Sequence, residues 1–151
     1  MDRTFFVTSV TCQRQTLFKR EEVAALLIGV LLHYRAQGKY LLHEFVVMPD
    51  HLHALITPAT EVSLERAVQL IKGGFSFRLH VSCPVWQASF MNHRIRNEAD
   101  FRQHCEYVWM NPVRAGLVSE AKEYRYSSAG GYALDAAPGL KPLVRGHGTP
   151  A

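Results

Sequence analysis

Two apolar runs separated by a proline-aspartate pair most constrain what this chain can fold into. The runs cover residues 40–48 and 52–57 and are rich in leucine, valine, isoleucine and aromatic residues. Pro49-Asp50 between them is a dipeptide typical of turns. The pattern predicts a β-hairpin that places the second run directly after a tight turn.

The second strand of this hairpin opens with two histidines, His51 and His53. Side chains alternate between the faces of a strand, so both imidazoles point to one side and the apolar residues between and after them to the other. Roughly 7 Å would separate their Cβ atoms, close enough for both rings to bind one divalent cation with a third ligand from elsewhere. The pattern is also compatible with two histidines that bind no metal.

Composition sets the broad class of protein. The 151 residues are 48% hydrophobic and 20% charged, which predicts one globular domain with a real core. A net charge of +4 and a pI near 9.1 make polyanions plausible partners. The three isolated cysteines form no C-x-x-C motif, and no apolar stretch has the length of a signal sequence or a membrane span. We therefore expect a cytoplasmic protein without a membrane segment.

The remaining periodicities predict the order β-α-β-β-α-β. The elements are a strand over 4–11, a helix over 20–37, the hairpin, a helix from 63 that bends at Gly73-Gly74, and a strand over 85–91. This order predicts an α+β fold, a ferredoxin-like two-layer sandwich in which an antiparallel sheet has its first and third strands at the centre. The histidines would lie on a central strand, facing either the helices or the open side of the sheet.

A third helix is predicted after this sandwich. Asn97 is a favourable N-cap residue, and Pro112 should end the helix within a residue or two. Tyr107 and Asn111 are four residues apart and share one face. Tyr107 is compatible with a packing role and Asn111 with helix termination, but a carboxamide oxygen is also a suitable third ligand for Mg²⁺ or Mn²⁺.

A tyrosine beside such a metal site has a definite chemistry. A cation favours the phenolate and polarises a phosphoryl oxygen, so Tyr107 could attack a phosphodiester and form a phosphotyrosine. That intermediate conserves the energy of the broken bond, as transesterification between DNA strands requires.

Three motifs follow one another along the chain: V-V-M-P-D-H-L-H-A-L-I-T-P, W-Q-A-S-F-M-N-H-R-I-R-N-E-A-D-F-R, and E-Y-V-W-M-N-P-V-R-A-G-L-V, beginning at Val46, Trp86 and Glu106. Together they resemble the REP-associated tyrosine transposases, in the single-tyrosine branch of the HUH endonucleases. The resemblance implies a metal-dependent nuclease and strand transferase that acts on single-stranded, usually hairpin, DNA. It assigns His51, His53 and Asn111 to the metal and Tyr107 to the nucleophile. It also favours a monomer over a homodimer.

Basic residues flank these motifs and are expected to position DNA phosphates. They are Lys72, Arg78, Arg94, Arg96, Arg114 and Arg125. Trp86 and Trp109 are suited either to stacking on bases or to the core, and His43 to supporting the metal ligands. The alternative to catalysis is a domesticated relative that binds hairpin DNA without cutting it.

The end of the chain fits none of the motifs. Residues 129–151 are rich in glycine, alanine and proline and have no clear periodicity. We therefore predict a catalytic domain over 1–128 followed by a flexible tail over 129–151.

Overall fold

The computed structural model of the chain describes residues 2–81 and 83–139. Four strands form one sheet: β1 (Phe5–Val10), β2 (Tyr40–Met48), β3 (His51–Pro58) and β4 (Met91–Arg94). Three α-helices accompany it: α1 (Glu21–Ala36), α2 (Leu64–Leu79) and α3 (Glu98–Arg114). The order β-α-β-β-α-β-α confirms the ferredoxin-like arrangement with an added helix that carries Tyr107.

The sheet has the order β2-β3-β1-β4, and each pair of neighbours is antiparallel. The first and third strands are therefore central, as predicted. In this register Thr8 of β1 lies opposite His53 of β3, and Val10 lies opposite His51. The two histidines thus belong to a strand that is hydrogen-bonded on both sides.

Separate hydrophobic clusters cover the two faces of the sheet. Leu52, Ala54 and Ile56 of β3 pack with the apolar residues of α1 and α2. Leu55 lies on the opposite face of β3 from these three residues and packs with the buried face of α3. The histidines have the same parity as Leu55, so they point toward α3 and away from α1 and α2.

The fourth strand lies later than predicted. Of the predicted residues 85–91 only Met91 belongs to β4, which covers Met91–Arg94. Trp86 is instead 8% exposed in the core, forms an isolated bridge to Thr11, and donates its Nε1–H to the carbonyl oxygen of Lys72. The apolar letters that suggested a strand therefore belong to a core-filling loop, whereas β4 is a polar edge strand.

Close packing against α1 explains Gly74 in α2. The helix continues through Gly73-Gly74, where we predicted a bend. A Cβ at Gly74 would lie 2.9 Å from a ring carbon of Tyr34, too close for any larger residue without rearrangement. Glycine here allows the two helices to approach each other.

Both predicted limits of α3 are confirmed. The side chain of Asn97 accepts a hydrogen bond from the backbone N–H of Asp100 at 2.8 Å. At the other end the helix stops at Arg114, two residues after Pro112. None of the helices within residues 2–81 and 83–139 is long and apolar enough to cross a bilayer.

The first part of the predicted tail contacts the domain. Asp135 accepts two hydrogen bonds of 2.9 Å from Arg35 and a third from the backbone N–H of Leu42. The ring of Tyr132 lies 5.2 Å from that of Phe45. The boundary at residue 128 stays a prediction, and residues 140–151 lie outside the described part of the chain.

Candidate active site

The imidazoles of His51 and His53 lie side by side on the α3 face of β3. Their ring centroids are 4.6 Å apart, and their planes are inclined by 73°. His53 is 6% exposed, whereas His51, next to the turn, is half-buried. The period of two therefore brings together the pair that the sequence suggested.

Hydrogen bonds at Nδ1 orient both rings. Asp50 Oδ1 lies 2.6 Å from Nδ1 of His51, and Thr8 Oγ1 lies 2.8 Å from Nδ1 of His53. Arg14 contacts the other carboxylate oxygen of Asp50 at 3.0 Å. With Nδ1 engaged, Nε2 of each ring is the atom left to bind a metal, and such partners commonly fix the orientation of metal-binding histidines.

The environment of His53 keeps its ring neutral. Burial, and secondarily the neighbouring His51, lowers the pKa of His53 to about 3. A neutral imidazole has the lone pair that a metal requires. These donors fit the predicted divalent cation.

Tyr107 extends from α3 toward the same place. Its ring centroid lies 5.5 Å from that of His53 and 5.8 Å from that of Phe6, and the residue is 41% exposed. The guanidinium carbon of Arg114 lies 5.4 Å from the ring centroid of Tyr107, within the range of a cation–π contact. The phenol therefore stands beside the histidine pair and remains accessible to a large substrate.

Asn111 follows Tyr107 by one helical turn and is half-buried. Its carboxamide forms no hydrogen bond to any residue in 2–81 or 83–139. An amide oxygen without a protein partner remains available to a ligand.

A second polar cluster was missed from the sequence. Asp100 at the start of α3 contacts two imidazoles: Oδ2 lies 2.7 Å from Nε2 of His93, and Oδ1 lies 3.2 Å from Nδ1 of His104. The two rings stack at 4.7 Å with planes 17° apart. The spacing of four between Asp100 and His104 was a signal for this contact, but the place of His93 depends on the fold.

A cleft of about 400 Å³ connects this cluster with the predicted site. Residues of both groups line it, among them His53, Tyr107, Asp100 and His104. Burial opposes ionisation of Asp100, but hydrogen bonds from Arg96 N–H and His93, with the charges of both imidazoles, lower its pKa to about 2. The cleft is therefore bordered by a buried carboxylate that is negatively charged at neutral pH.

The predicted DNA-binding residues differ in their positions. Arg96 lines the cleft, and Arg114 covers Tyr107. Arg94 is exposed on β4, and Arg125 lies 3.3 Å from the carboxylate of Glu21. Lys72 donates to the carbonyl oxygen of Gln87 at 2.9 Å, and Arg78 donates to the carbonyl oxygen of Gly74 at 2.9 Å. Burial lowers the pKa of Lys72. Contacts with DNA stay a prediction for all six.

The remaining candidates have structural contacts. Trp86 and Trp109 are both buried, and Trp109 donates to the Glu44 carboxylate at 2.8 Å. His43 is bonded to the carbonyl oxygen of Asp135 and to Thr57 Oγ1, both at 2.8 Å. The hydrogen bonds of His43 therefore lead to the C-terminal segment and to Thr57 of β3, and neither goes to His51 or His53.

Comparison with known proteins places this geometry in a family. The family model for IS200-like transposases matches residues 4–110, which include His51, His53 and Tyr107. A REP-associated tyrosine transposase of Escherichia coli (strain K12) is 26% identical over 140 residues, 92% of this chain and 81% of the relative.

Solved structures agree with this match. A REP-associated tyrosine transposase bound to a REP hairpin superimposes with a TM-score of 0.74 at 25% identity, covering 90% of this chain and 86% of the other. A candidate transposase of Deinococcus radiodurans shares the fold, with a TM-score of 0.54 at 21% identity over 67% of this chain and 86% of the other. The chain belongs to the IS200-like transposase family, enzymes that cut and transfer DNA, and resembles the REP-associated tyrosine transposases.

Proposed function

We propose that this protein cuts hairpin-associated single-stranded DNA and transfers the strand through a covalent 5′-phosphotyrosine on Tyr107. The observation that carries the proposal is the convergence of His51, His53 and Tyr107, with adjacent ring centroids 4.6 and 5.5 Å apart. The substrate class follows from the solved relative that is bound to a REP hairpin.

The metal in this proposal is Mg²⁺ or Mn²⁺. Nε2 of His51, Nε2 of His53 and the carboxamide oxygen of Asn111 would hold it. When bound, it supplies Lewis-acid polarisation of the phosphoryl oxygen and favours the phenolate form of tyrosine. Thr8 and Asp50 hold the two rings with their Nε2 atoms available.

Cleavage transfers one phosphoryl group to the protein. The phenolic oxygen of Tyr107 forms a bond to phosphorus, the P–O3′ bond breaks, and the freed 3′ oxygen takes up a proton. Arg114, over the nucleophile's ring, and Arg96, in the cleft, are placed to contact nearby phosphates. Joining reverses the step, with a 3′-hydroxyl of another strand attacking the phosphotyrosine.

We further propose that a monomer is sufficient. The histidine pair and the tyrosine of this arrangement come from a single chain, so the site needs no residue from a partner. Size-exclusion chromatography with light scattering on the active fraction tests this point.

The decisive experiment is detection of the covalent adduct. Hairpin DNA with a single-stranded flank and a 3′ label is incubated with Mg²⁺ or Mn²⁺ and separated on a denaturing protein gel. We expect a labelled adduct with wild type that is lost with chelator and with Y107F, which removes only the nucleophilic oxygen.

Y132F is a matched control, because Tyr132 lies in the C-terminal segment and packs on Phe45. It should form the adduct as wild type does. Retention of hairpin DNA without any adduct, across a broad set of hairpins, would refute cleavage and favour the binding-only alternative.

A further inference from the structure

The attack by Tyr107 leaves a proton without an assigned acceptor. Phenols are weak nucleophiles until they lose their proton, and positioned bases commonly accept it. His51 and His53 are poor candidates, since Nδ1 of each ring is already hydrogen-bonded and Nε2 is proposed to bind the metal. The other side chains that line the cleft are therefore the candidates for a positioned acceptor.

His104 lies beside Tyr107 in the cleft and is the candidate for this acceptor. It precedes Tyr107 by three residues on α3, a spacing that places two side chains on the same helix face. Both rings contact Phe6, with centroid distances of 4.9 Å for His104 and 5.8 Å for Tyr107. Both also line the cleft of about 400 Å³.

The hydrogen bonds of His104 leave one ring nitrogen available. Nδ1 lies 2.9 Å from the backbone oxygen of Asp100 and 3.2 Å from its Oδ1, and both of these atoms are acceptors. Nδ1 therefore carries the ring proton, and Nε2 has the lone pair. No residue within 2–81 or 83–139 forms a hydrogen bond with Nε2.

Asp100 would stabilise a positive charge on His104. Its carboxylate is 5% exposed and is also held by the backbone N–H of Arg96 at 2.9 Å. A base oriented by a buried carboxylate is the general arrangement of nucleophile-activating sites. Asp100 is in this respect a positioning residue for His104.

We propose that Nε2 of His104 accepts the phenolic proton of Tyr107 during cleavage and returns it during joining. As the O–P bond to Tyr107 forms, the proton moves to Nε2, the P–O3′ bond breaks, and the 3′ oxygen takes a proton from water. In the reverse step a 3′-hydroxyl attacks phosphorus and gives its proton to water, and the phenolate recovers its own proton from His104. This inference rests on the proposed function of Tyr107.

The cluster is less suited to a second cation. Its ligand atoms lie within 4.8 Å of one another. However, Oδ2 of Asp100 is already in contact with Nε2 of His93 and with the backbone N–H of Arg96, and Arg96 Nε lies 3.5 Å away. A positive guanidinium group and two donated N–H groups already balance the carboxylate.

The experiment compares H104Q with wild type in the adduct assay under single-turnover conditions at saturating Mg²⁺, from pH 5 to 9. Glutamine keeps polarity and similar size but cannot exchange a proton in this range. We expect adduct formation at pH 7 to slow about 100-fold, which is within the usual contribution of general acid–base catalysis. The part of the pH dependence that comes from His104 should be absent in H104Q, so its pH profile should be flatter than that of wild type.

Charged and titratable groups face His104 from several elements, and the comparison must separate them. They are His93 on β4, Arg96 before α3, Asp100 and Tyr107 on α3, and His53 across the cleft on β3. All are retained in H104Q, so the difference between the two pH profiles reports on His104. H33Q is the matched control, because His33 bonds to Gln37 on the exposed surface of α1.

A second variant separates proton transfer from a structural role. H104A leaves space for free imidazole, which should restore adduct formation in proportion to its concentration, and the hairpin affinity of both variants should match wild type. An adduct that forms at the wild-type rate and with the wild-type pH profile in H104Q would refute this inference alone. No adduct with wild type would refute the proposed function and this inference together.

Discussion

The hydrogen bond between Thr8 and His53 gives a prediction that joins stability to metal binding. Thr8 is 7% exposed, and its Oγ1 lies 2.8 Å from Nδ1 of His53. The variant T8V keeps the shape of the side chain but removes the acceptor. His53 is then left with either an unpaired N–H at Nδ1 or the ring proton at Nε2, the atom needed by the metal.

Two magnitudes follow from this change. An unsatisfied buried donor costs about 1–3 kcal/mol of unfolding free energy, which urea unfolding at pH 7.5 measures directly. Loss of the partner that orients a metal-binding histidine typically weakens metal affinity about 10–100-fold, and calorimetric titration with Mn²⁺ measures this.

T8S is the matched control. It keeps the hydroxyl group and removes only a methyl group, at a cost of about 1 kcal/mol. We expect T8S to bind Mn²⁺ with wild-type affinity and T8V to bind it more weakly. Equal Mn²⁺ affinities in the two variants would refute the argument that Thr8 holds Nε2 of His53 ready for the metal.

Two further predictions concern the rest of the domain. Fragment 1–128 should have a lower unfolding free energy in urea than fragment 1–139, because it lacks the Arg35–Asp135 pair. The variant D135A alone should lower the unfolding free energy by about 1–3 kcal/mol. Equal stability of the two fragments would instead support a tail that begins at 129. Burial lowers the pKa of His43, so the stability that its neutral form contributes is complete above about pH 6.5 and declines as the pH falls below that value. H43Q should therefore show a shallower loss of stability between pH 7.5 and 5 than wild type, and parallel curves would contradict the assignment.

Local sequence patterns were sufficient for the parts of the fold that rest on periodicity. The alternation in H-L-H-A-L-I predicted that His51 and His53 share a face, because a strand has no other way to place residues two apart. Asn97 and Pro112 predicted the ends of α3. The side chain of Asn97 accepts a hydrogen bond from the first turn of the helix, and Pro112 lacks the backbone N–H that a continuing helix needs, so both effects are local.

Features that depend on distant contacts were missed or displaced. The edge strand β4 is mostly exposed, so it has no apolar run, while the apolar residues before it fill the core. His93 meets Asp100 and His104 only because the first turns of α3 lie beside β4, and a strand-to-helix contact has no fixed spacing in the chain. The link between Arg35 and Asp135 spans 100 residues, beyond the reach of any local pattern.

The opposite orientation of alternate residues along β3 makes this strand unusually intolerant of length changes. Deleting or inserting one residue at its start would turn every following side chain to the other face. Imidazoles would then enter the apolar layer under α1 and α2, and leucine and isoleucine would occupy the cleft beside Tyr107. Insertion or deletion of a single residue at the start of β3 would therefore abolish folding and chemistry together.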